Sequence, residues 1–447
     1  MARELLVGNG TLITLGSNNR VIPSGAVLIR DGVVAQVGTT SELRGQAPDA
    51  EYIDASGQLI MPGLINAHHH LYSTFARGMA PKDPPPYTFV EVLERLWWPL
   101  DDALQAGDLY YAAMMPLIEC IRQGTTSIID HHESQGYQAG SLSELATAVE
   151  DAGIRASLCL GISDRYGRGR EGVEENIRFI KQVQETPPGP GRRVAGMFGL
   201  HAAFTVEDDT LDQAVAAANE LGVGFHTHVA EAASDEEASL EKFGKRVLQR
   251  LLDKGVLGEK SLAIHCVHID DDEMEILRRT GTAVVHNPES NMNNAVGAAP
   301  ILEMFEKKIL VGLGTDGMTS DMRSGAKTAF FLQHLVKQDP RVAFCESCAL
   351  LLDNNPEIAA RQFGYRVGSL EPGAAGDVIL VDYTAPTPLN GGTWLGHFLF
   401  GICCGAVVDT TIVGGNVLMR NRHLVSLDEK EIAAKCREKA EAFYQRF

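Results

Sequence analysis

Residues 59–70 read LIMPGLINAHHH, an apolar strand-like run from Leu59 to Asn66 that leads into three histidines. Seven further short runs rich in β-branched residues follow it: Ser127 to Asp130, Ala156 to Leu160, Gly196 to Leu200, Gly222 to His228, Ser261 to His265, Ala283 to His286 and Ile309 to Gly314. They alternate with longer helical patterns, the signature of βα units around a parallel sheet. Eight such strands predict a closed (β/α)₈ TIM barrel. Their C-terminal ends carry HHH, DHH, SD, H, HTH, HCVH, HNP and TD. In such a barrel those ends form one rim, so residues scattered along the chain converge on a single site.

Outward from the barrel, Glu4 to Ile53 is a series of short β-rich runs, in which Asp31-Gly32 is a type I′ hairpin signal. The same texture returns in DVILVDY (Asp377 to Tyr383) and in AVVDTTIVGGNVLM (Ala406 to Met419), where Gly414-Gly415 marks a turn. Residues 1–57 and 368–425 are therefore expected to build one small β-domain beside the barrel of residues 58–367. Ser426 and Glu429 form a capping-box pattern ahead of apolar Ile432, Cys436, Ala440, Phe443 and Phe447. Residues 426–447 are read as a packed terminal helix.

With 58 acidic and 39 basic residues, the chain of 447 residues carries a formal charge of -19. That field repels phosphate backbones and anionic membranes, which argues against nucleic-acid and membrane partners and for a small neutral or weakly cationic substrate. No basic and apolar leader opens the chain, and the longest apolar run, Phe398 to Val408, is too short to span a bilayer, so the reading is cytoplasmic. The eight cysteines form no disulfide framework, and the CxxC of Cys345 and Cys348 lacks a second pair for a zinc site. Oligomeric state stays open.

Successive strand side chains point to opposite faces, so His68 and His70 share a direction that His69 does not. Two imidazoles aimed at one point suggest a metal, against the alternative of a solvated polar strand end. His228, ending the fifth strand, and Asp316, in GLGTDG after the eighth, stand on the same rim. Imidazole with carboxylate suits zinc, with ferrous iron as the alternative.

PGLINAHHHLYSTFARGM, HTHVAE, HCVH, HNPESN, LGTDG and EPGAAGDVILVD together resemble, in order and over nearly the whole chain, the motifs of the amidohydrolase superfamily. The similarity is to its deaminase and chlorohydrolase (triazine hydrolase-like) branch, and STFARGMAPKDPPP with ERLWW is similar to SsnA-type aminohydrolases. The resemblance implies a β-sandwich flanking the barrel. It implies His68, His70, His228 and Asp316 as metal ligands, with Asp316 also at the reaction centre. Glu231 matches the proton shuttle, His265 the histidine at the attacking water, and His201 a substrate contact. His69 departs from the family's usual threonine or valine, so the pairs His68-His69 and His69-His70 also present themselves, although adjacent strand residues face apart. Dinuclear members carry a carboxylated lysine after the fourth strand. No lysine lies between Lys181 and Lys242 here, so one metal is expected.

The activity implied is hydrolytic deamination of an amino-substituted N-heterocycle, purine, pterin or pyrimidine-like, by a metal hydroxide with release of ammonia. A free base or pterin leads. The alternative is displacement of chloride or an alkylamine, or opening of a cyclic amide; a non-catalytic assembly protein is disfavoured because every ligand position is filled. Arg77, His131 and His132 are taken as substrate-binding candidates, with Asp130 and Glu133 close by. The loop from Pro81 to Pro86 is a candidate cover for the pocket, and Trp97 and Trp98 candidate walls or core. His226, His268 and His286 are read as histidines that orient ligands or satisfy strand ends.

Overall fold

Eight parallel strands run in chain order around a barrel in the computed structural model, which describes residues 4–80 and 82–447. They are Leu64–His69, Thr125–His132, Arg155–Ile162, Phe198–Ala202, Phe225–Val229, Leu262–His265, Ala283–His286 and Val311–Leu313. A short strand, Val194–Gly196, adds to the third. The first and eighth strands close the barrel without a regular ladder. The His68 carbonyl accepts from the amides of Thr315 and Asp316, each at 3.0 Å. Asn355 then clamps the seam: its Nδ2 donates to the carbonyls of Ile65 and Leu313, while its Oδ1 accepts from the Leu313 amide. Closure at this point puts the end of the first strand against Asp316.

The expected first strand spans two sheets. Leu59–Pro62 pairs with Glu4–Ile13 and with Val378–Asp382 in the second sheet, and only Leu64–His69 enters the barrel. Gly63 is the crossing point, where a Cβ would lie 2.1 Å from the Thr126 hydroxyl. An apolar run that is buried throughout carries no periodicity to mark such a break.

The second sheet has nine strands drawn from both chain ends, joined through Leu59–Pro62. The hairpin between Val21–Arg30 and Val33–Thr39 turns on Asp31 and Gly32, both at positive φ, as a type I′ turn requires. Gly414 and Gly415 do the same between Val407–Val413 and Asn416–Arg420. Leu5, Val27, Ile53, Ile60, Leu380 and Ile412 share one apolar core, so the two ends fold as one unit.

The terminal helix, Glu429–Tyr444, begins one residue after Asp428, whose side chain accepts from the amides of Lys430 and Glu431. The Ser426 capping box is therefore not formed; Asp428 sits nearer the first free amides. Phe443 stacks on Phe75, and the Tyr444 hydroxyl donates to the Phe75 carbonyl, which ties this helix to the loop after the first barrel strand. All eight cysteines are free thiols. Among the described residues, no helix is long and apolar enough to cross a membrane.

Candidate metal centre and cavity

The pleat separates the three consecutive histidines as expected. His68 and His70 meet edge to face, with ring centroids 4.7 Å apart, while His69 turns away to Ser320. Each ring facing the rim is oriented through its Nδ1. His70 Nδ1 donates to the His131 carbonyl at 2.5 Å, and His228 Nδ1 to the His201 carbonyl at 2.6 Å. A carbonyl only accepts, so Nδ1 carries a proton in both and Nε2 is the atom turned to the centre. His68 Nδ1 pairs with His226 Nε2 at 2.8 Å, and its own Nε2 is buried with no hydrogen-bond partner.

The Nε2 atoms converge. His70 Nε2 lies 3.4 Å from His228 Nε2 and 3.1 Å from Asp316 Oδ1, and His68 Nε2 lies 3.8 Å from the same oxygen. Asp316 has a left-handed backbone (φ +56°) and is held by Ser290 Oγ on Oδ2 and the Gly317 amide on Oδ1, both at 2.7 Å. Burial, then the neighbouring histidines, keep His68 and His228 well below the usual imidazole range. Burial also opposes charge on His70, but Asp316 outweighs it and raises that ring. Asp316 in turn stays well below the usual carboxylate range: His70, His265 and His228 overcome the burial that resists its charge. A partnerless His68 nitrogen gathered with those of His70 and His228 around a carboxylate fits a divalent cation of the zinc or iron class.

Beside this cluster stand Glu231 and His265. The chain leaves the fifth strand through Ala230 at φ +45°, and Asp235 accepts from the amides of Glu231 and Ala232, which fixes the turn. Glu231 Oε2 lies 3.4 Å from His265 Nε2, and Oε1 accepts from Asn294 Nδ2 at 3.1 Å. Burial and then the Asp316 charge raise the Glu231 carboxyl well above its ordinary range, the direction that suits a group taking and giving protons. His265 and Cys266 both adopt positive φ, a strained pair that swings the ring onto the rim. His265 Nδ1 is held by Asn291 Oδ1 at 2.7 Å, leaving Nε2 facing Glu231 and, at 3.5 Å, Asp316 Oδ2.

A cavity opens over these groups, lined by His70, His228, Glu231, Asp316 and His201. Its apolar walls are Tyr72, Phe89, Leu93, Trp97, Phe204 and Met318. Trp97 is thus a wall, while Trp98 packs under the Arg165 guanidinium. Pro81 lies outside the described residues; the segment that follows it reaches the cavity through Phe89 and Leu93.

Three expected substrate contacts are not there. Arg77 points away into an ion pair with Glu119 on the neighbouring helix, and its side chain is 56% exposed. His131 is fully buried behind the cluster, with Nε2 on the Leu200 carbonyl and its own carbonyl on His70, so it orients that ring and does not reach the cavity. His132 is buried against Tyr72 and does not reach the cavity. His226 supports His68, His268 bonds the Val296 carbonyl, and His286 is buried away from the opening. Five polar lining residues escaped site assignment from sequence: Asp235, four residues after the HTHVAE motif, and Glu133, Ser290, Asn293 and Asn294. The motifs DHHE and HNPESN contain or adjoin the last four, but loop residues carry no periodicity that says which way they face.

Residues 59–418 match the amidohydrolase family, and residues 25–50 match a bacterial imidazolonepropionase-like composite domain. The chain is 32% identical over 435 residues to a 5-methylthioadenosine/S-adenosylhomocysteine deaminase of Desulforudis audaxviator (strain MP104C), covering 96% of each. It is 33% identical over 449 residues to a 5'-deoxyadenosine deaminase of Methanosarcina mazei, covering 99% of each. A zinc-bound adenosine deaminase structure from Xanthomonas campestris has the same fold, with a TM-score of 0.86 at 24% identity over 99% of both chains. A family match over most of the chain, and relatives above 30% identity from end to end, show that this protein belongs to the amidohydrolase family, as a hydrolase of carbon–nitrogen bonds.

Proposed function

We propose that the protein is a mononuclear-metal deaminase of an amino-substituted purine, with an adenine nucleoside as the leading substrate. The observation that carries this reading is the convergence of three oriented Nε2 atoms and Asp316 on one point beside a proton-holding Glu231, at the floor of a single cavity. His68, His70, His228 and Asp316 would hold the cation. Bound there, it would supply a nucleophile at neutral pH by lowering the pKa of water from about 15.7 to roughly 7. Zinc is preferred to iron because the Xanthomonas campestris structure carries zinc.

Glu231 takes a proton from the attacking water and delivers it to the ring nitrogen beside the reacting carbon. His265, fixed by Asn291, donates or accepts at the reacting oxygen, where a preorganised hydrogen bond is most effective. The proton left on the added hydroxyl passes to the amino group, the carbon–nitrogen bond breaks, water's oxygen stays on the ring as a carbonyl, and ammonia leaves. The aromatic walls suit a flat heterocycle. The relatives' names point to adenine nucleosides ahead of the free base or pterin that the sequence favoured.

The test is an ammonia assay of the zinc-loaded enzyme on 5'-deoxyadenosine, 5-methylthioadenosine, S-adenosylhomocysteine, adenosine, guanine, isoxanthopterin, cytosine and triazines. Ammonia should appear fastest with an adenine nucleoside. Release of chloride or alkylamine from a triazine, with no ammonia from any ring, would overturn the proposal.

A further inference from the structure

Glu133 is the one cavity-lining carboxylate that the chemistry above leaves unused, apart from Asp235, which caps the turn at Glu231. It follows the second barrel strand and is 2% exposed, yet neither carboxyl oxygen has a hydrogen-bond partner in the protein. His131 Nδ1 stands 3.1 Å from Oε1, an ion pair only if that ring takes a second proton, and the other nitrogen of the ring is turned to the Leu200 carbonyl. The backbone has made room for this side chain. Gly161 on the next strand stands so close that a Cβ there would lie 2.1 Å from Glu133 Oε1. A buried carboxyl without donors costs stability, so a sequence that keeps one in a glycine-lined niche at a ligand cavity is holding it for donors that arrive with the ligand.

A second acceptor stands on the same cavity. His201 Nδ1 is held by Thr205 Oγ1 at 2.9 Å, which turns its Nε2 outward. We propose that Glu133 is a specificity-determining residue: its free oxygens accept hydrogen bonds from donor groups on the part of the substrate that does not react. The donors are the vicinal hydroxyls of a ribose, and a ligand lacking them leaves a buried carboxyl unpaired. A site of this kind rejects the donorless analogue more strongly than it gains from the matched one. The inference rests on the purine deaminase reading for its choice of ligands.

Deaminated purines are not turned over further by this chemistry, so equilibrium binding can be read without catalysis. Calorimetry on the zinc-loaded full chain would compare inosine, 2′,3′-dideoxyinosine and hypoxanthine with the wild type and with Glu133→Met, Glu133→Ala and Glu133→Gln. Zinc content and melting temperature would be measured for each. The two acceptor-free variants should bind inosine roughly ten- to a hundredfold more weakly at unchanged zinc content, and Gln, which keeps one acceptor oxygen, should lose less. A loss confined to inosine identifies the ribose hydroxyls as the donors; a loss shared by all three ligands, whose only common donor is the N–H of the reacting edge, would overturn the inference. Met and Ala differ in volume, so whichever folds with wild-type zinc carries the test. Inosine affinity unchanged in an acceptor-free variant, with or without a lower melting temperature, would overturn the inference alone. Wild-type enzyme that binds zinc but none of the three purines would reject the purine reading beneath it as well.

Discussion

The two ends of the barrel treat buried charge in opposite ways. At the start of the third strand, Arg155 is fully buried, and its guanidinium is occupied by protein acceptors. Nε and Nη2 reach the two oxygens of Asp377 at 2.8 and 3.0 Å, and Nη1 reaches the Pro190 carbonyl and the Tyr365 hydroxyl. Asp377 also accepts from the Gly414 amide, so this closed network joins the barrel to the chain-end sheet. At the other end, His68 Nε2, His265 Nε2 and both Glu133 oxygens are equally buried and have no partner. A satisfied buried charge maintains architecture; an unsatisfied one awaits something from outside the chain.

That contrast is broken most severely at the rim. Asp316→Asn and His228→Ala should each lose bound zinc, from about one equivalent per chain, and turnover should fall to background. Glu231→Gln should keep its zinc and lose at least about a hundredfold in turnover, because it removes a proton carrier and leaves the donor set intact. Elemental analysis beside the ammonia assay separates the two behaviours. Two tightly held catalytic metals per chain, or near-normal turnover in Glu231→Gln, would contradict the roles assigned here.

At the satisfied end the expected effect is on stability. Asp377→Ala leaves Arg155 buried and uncompensated, a change that typically costs about 3–5 kcal/mol. The urea midpoint should drop accordingly, while turnover per zinc-loaded, folded molecule stays at the wild-type level. If Asp377→Ala instead changed KM or zinc content at full folding, the two ends would be coupled and the division between them would fail.

The rim half of this division was legible in the sequence, and the Arg155–Asp377 pair was not. Strand ends are where a period-two pattern meets a loop, and His68, His70, His228, His265 and Asp316 all sit at such ends, so placing the strands brought these residues together. What the pattern does not encode is the reach of side chains on loops. Asn291 and Asn294, which hold His265 and Glu231, lie on and just after the one-and-a-half-turn helix Pro288–Asn293, too short to show an amphipathic period. The same gap hid Glu133, read only as close by, and promoted Arg77, whose place in a conspicuous motif says nothing about where four rotatable bonds carry its guanidinium. His131 stands beside the histidine cluster but off the cavity: its carbonyl accepts from His70 Nδ1, and its ring Nε2 faces the Leu200 carbonyl.

Arg77 provides the smallest expected effect and the sharpest check on the comparison. Its guanidinium is neither enclosed and satisfied like Arg155 nor enclosed and waiting like Glu133; the side chain is more than half exposed and pairs directly with Glu119 at the surface. Exposed pairs of this kind gain little over hydration, because water screens the attraction and two long side chains lose rotamer freedom to form it. Arg77→Ala should therefore change unfolding free energy by less than about 1 kcal/mol and leave KM and kcat within experimental error. Denaturant melts and steady-state kinetics on the preferred nucleoside measure both. A KM raised tenfold or more would mean that Arg77 leaves Glu119 and folds over the cavity when substrate binds, which would restore it to the binding site from which its position in the free protein removes it.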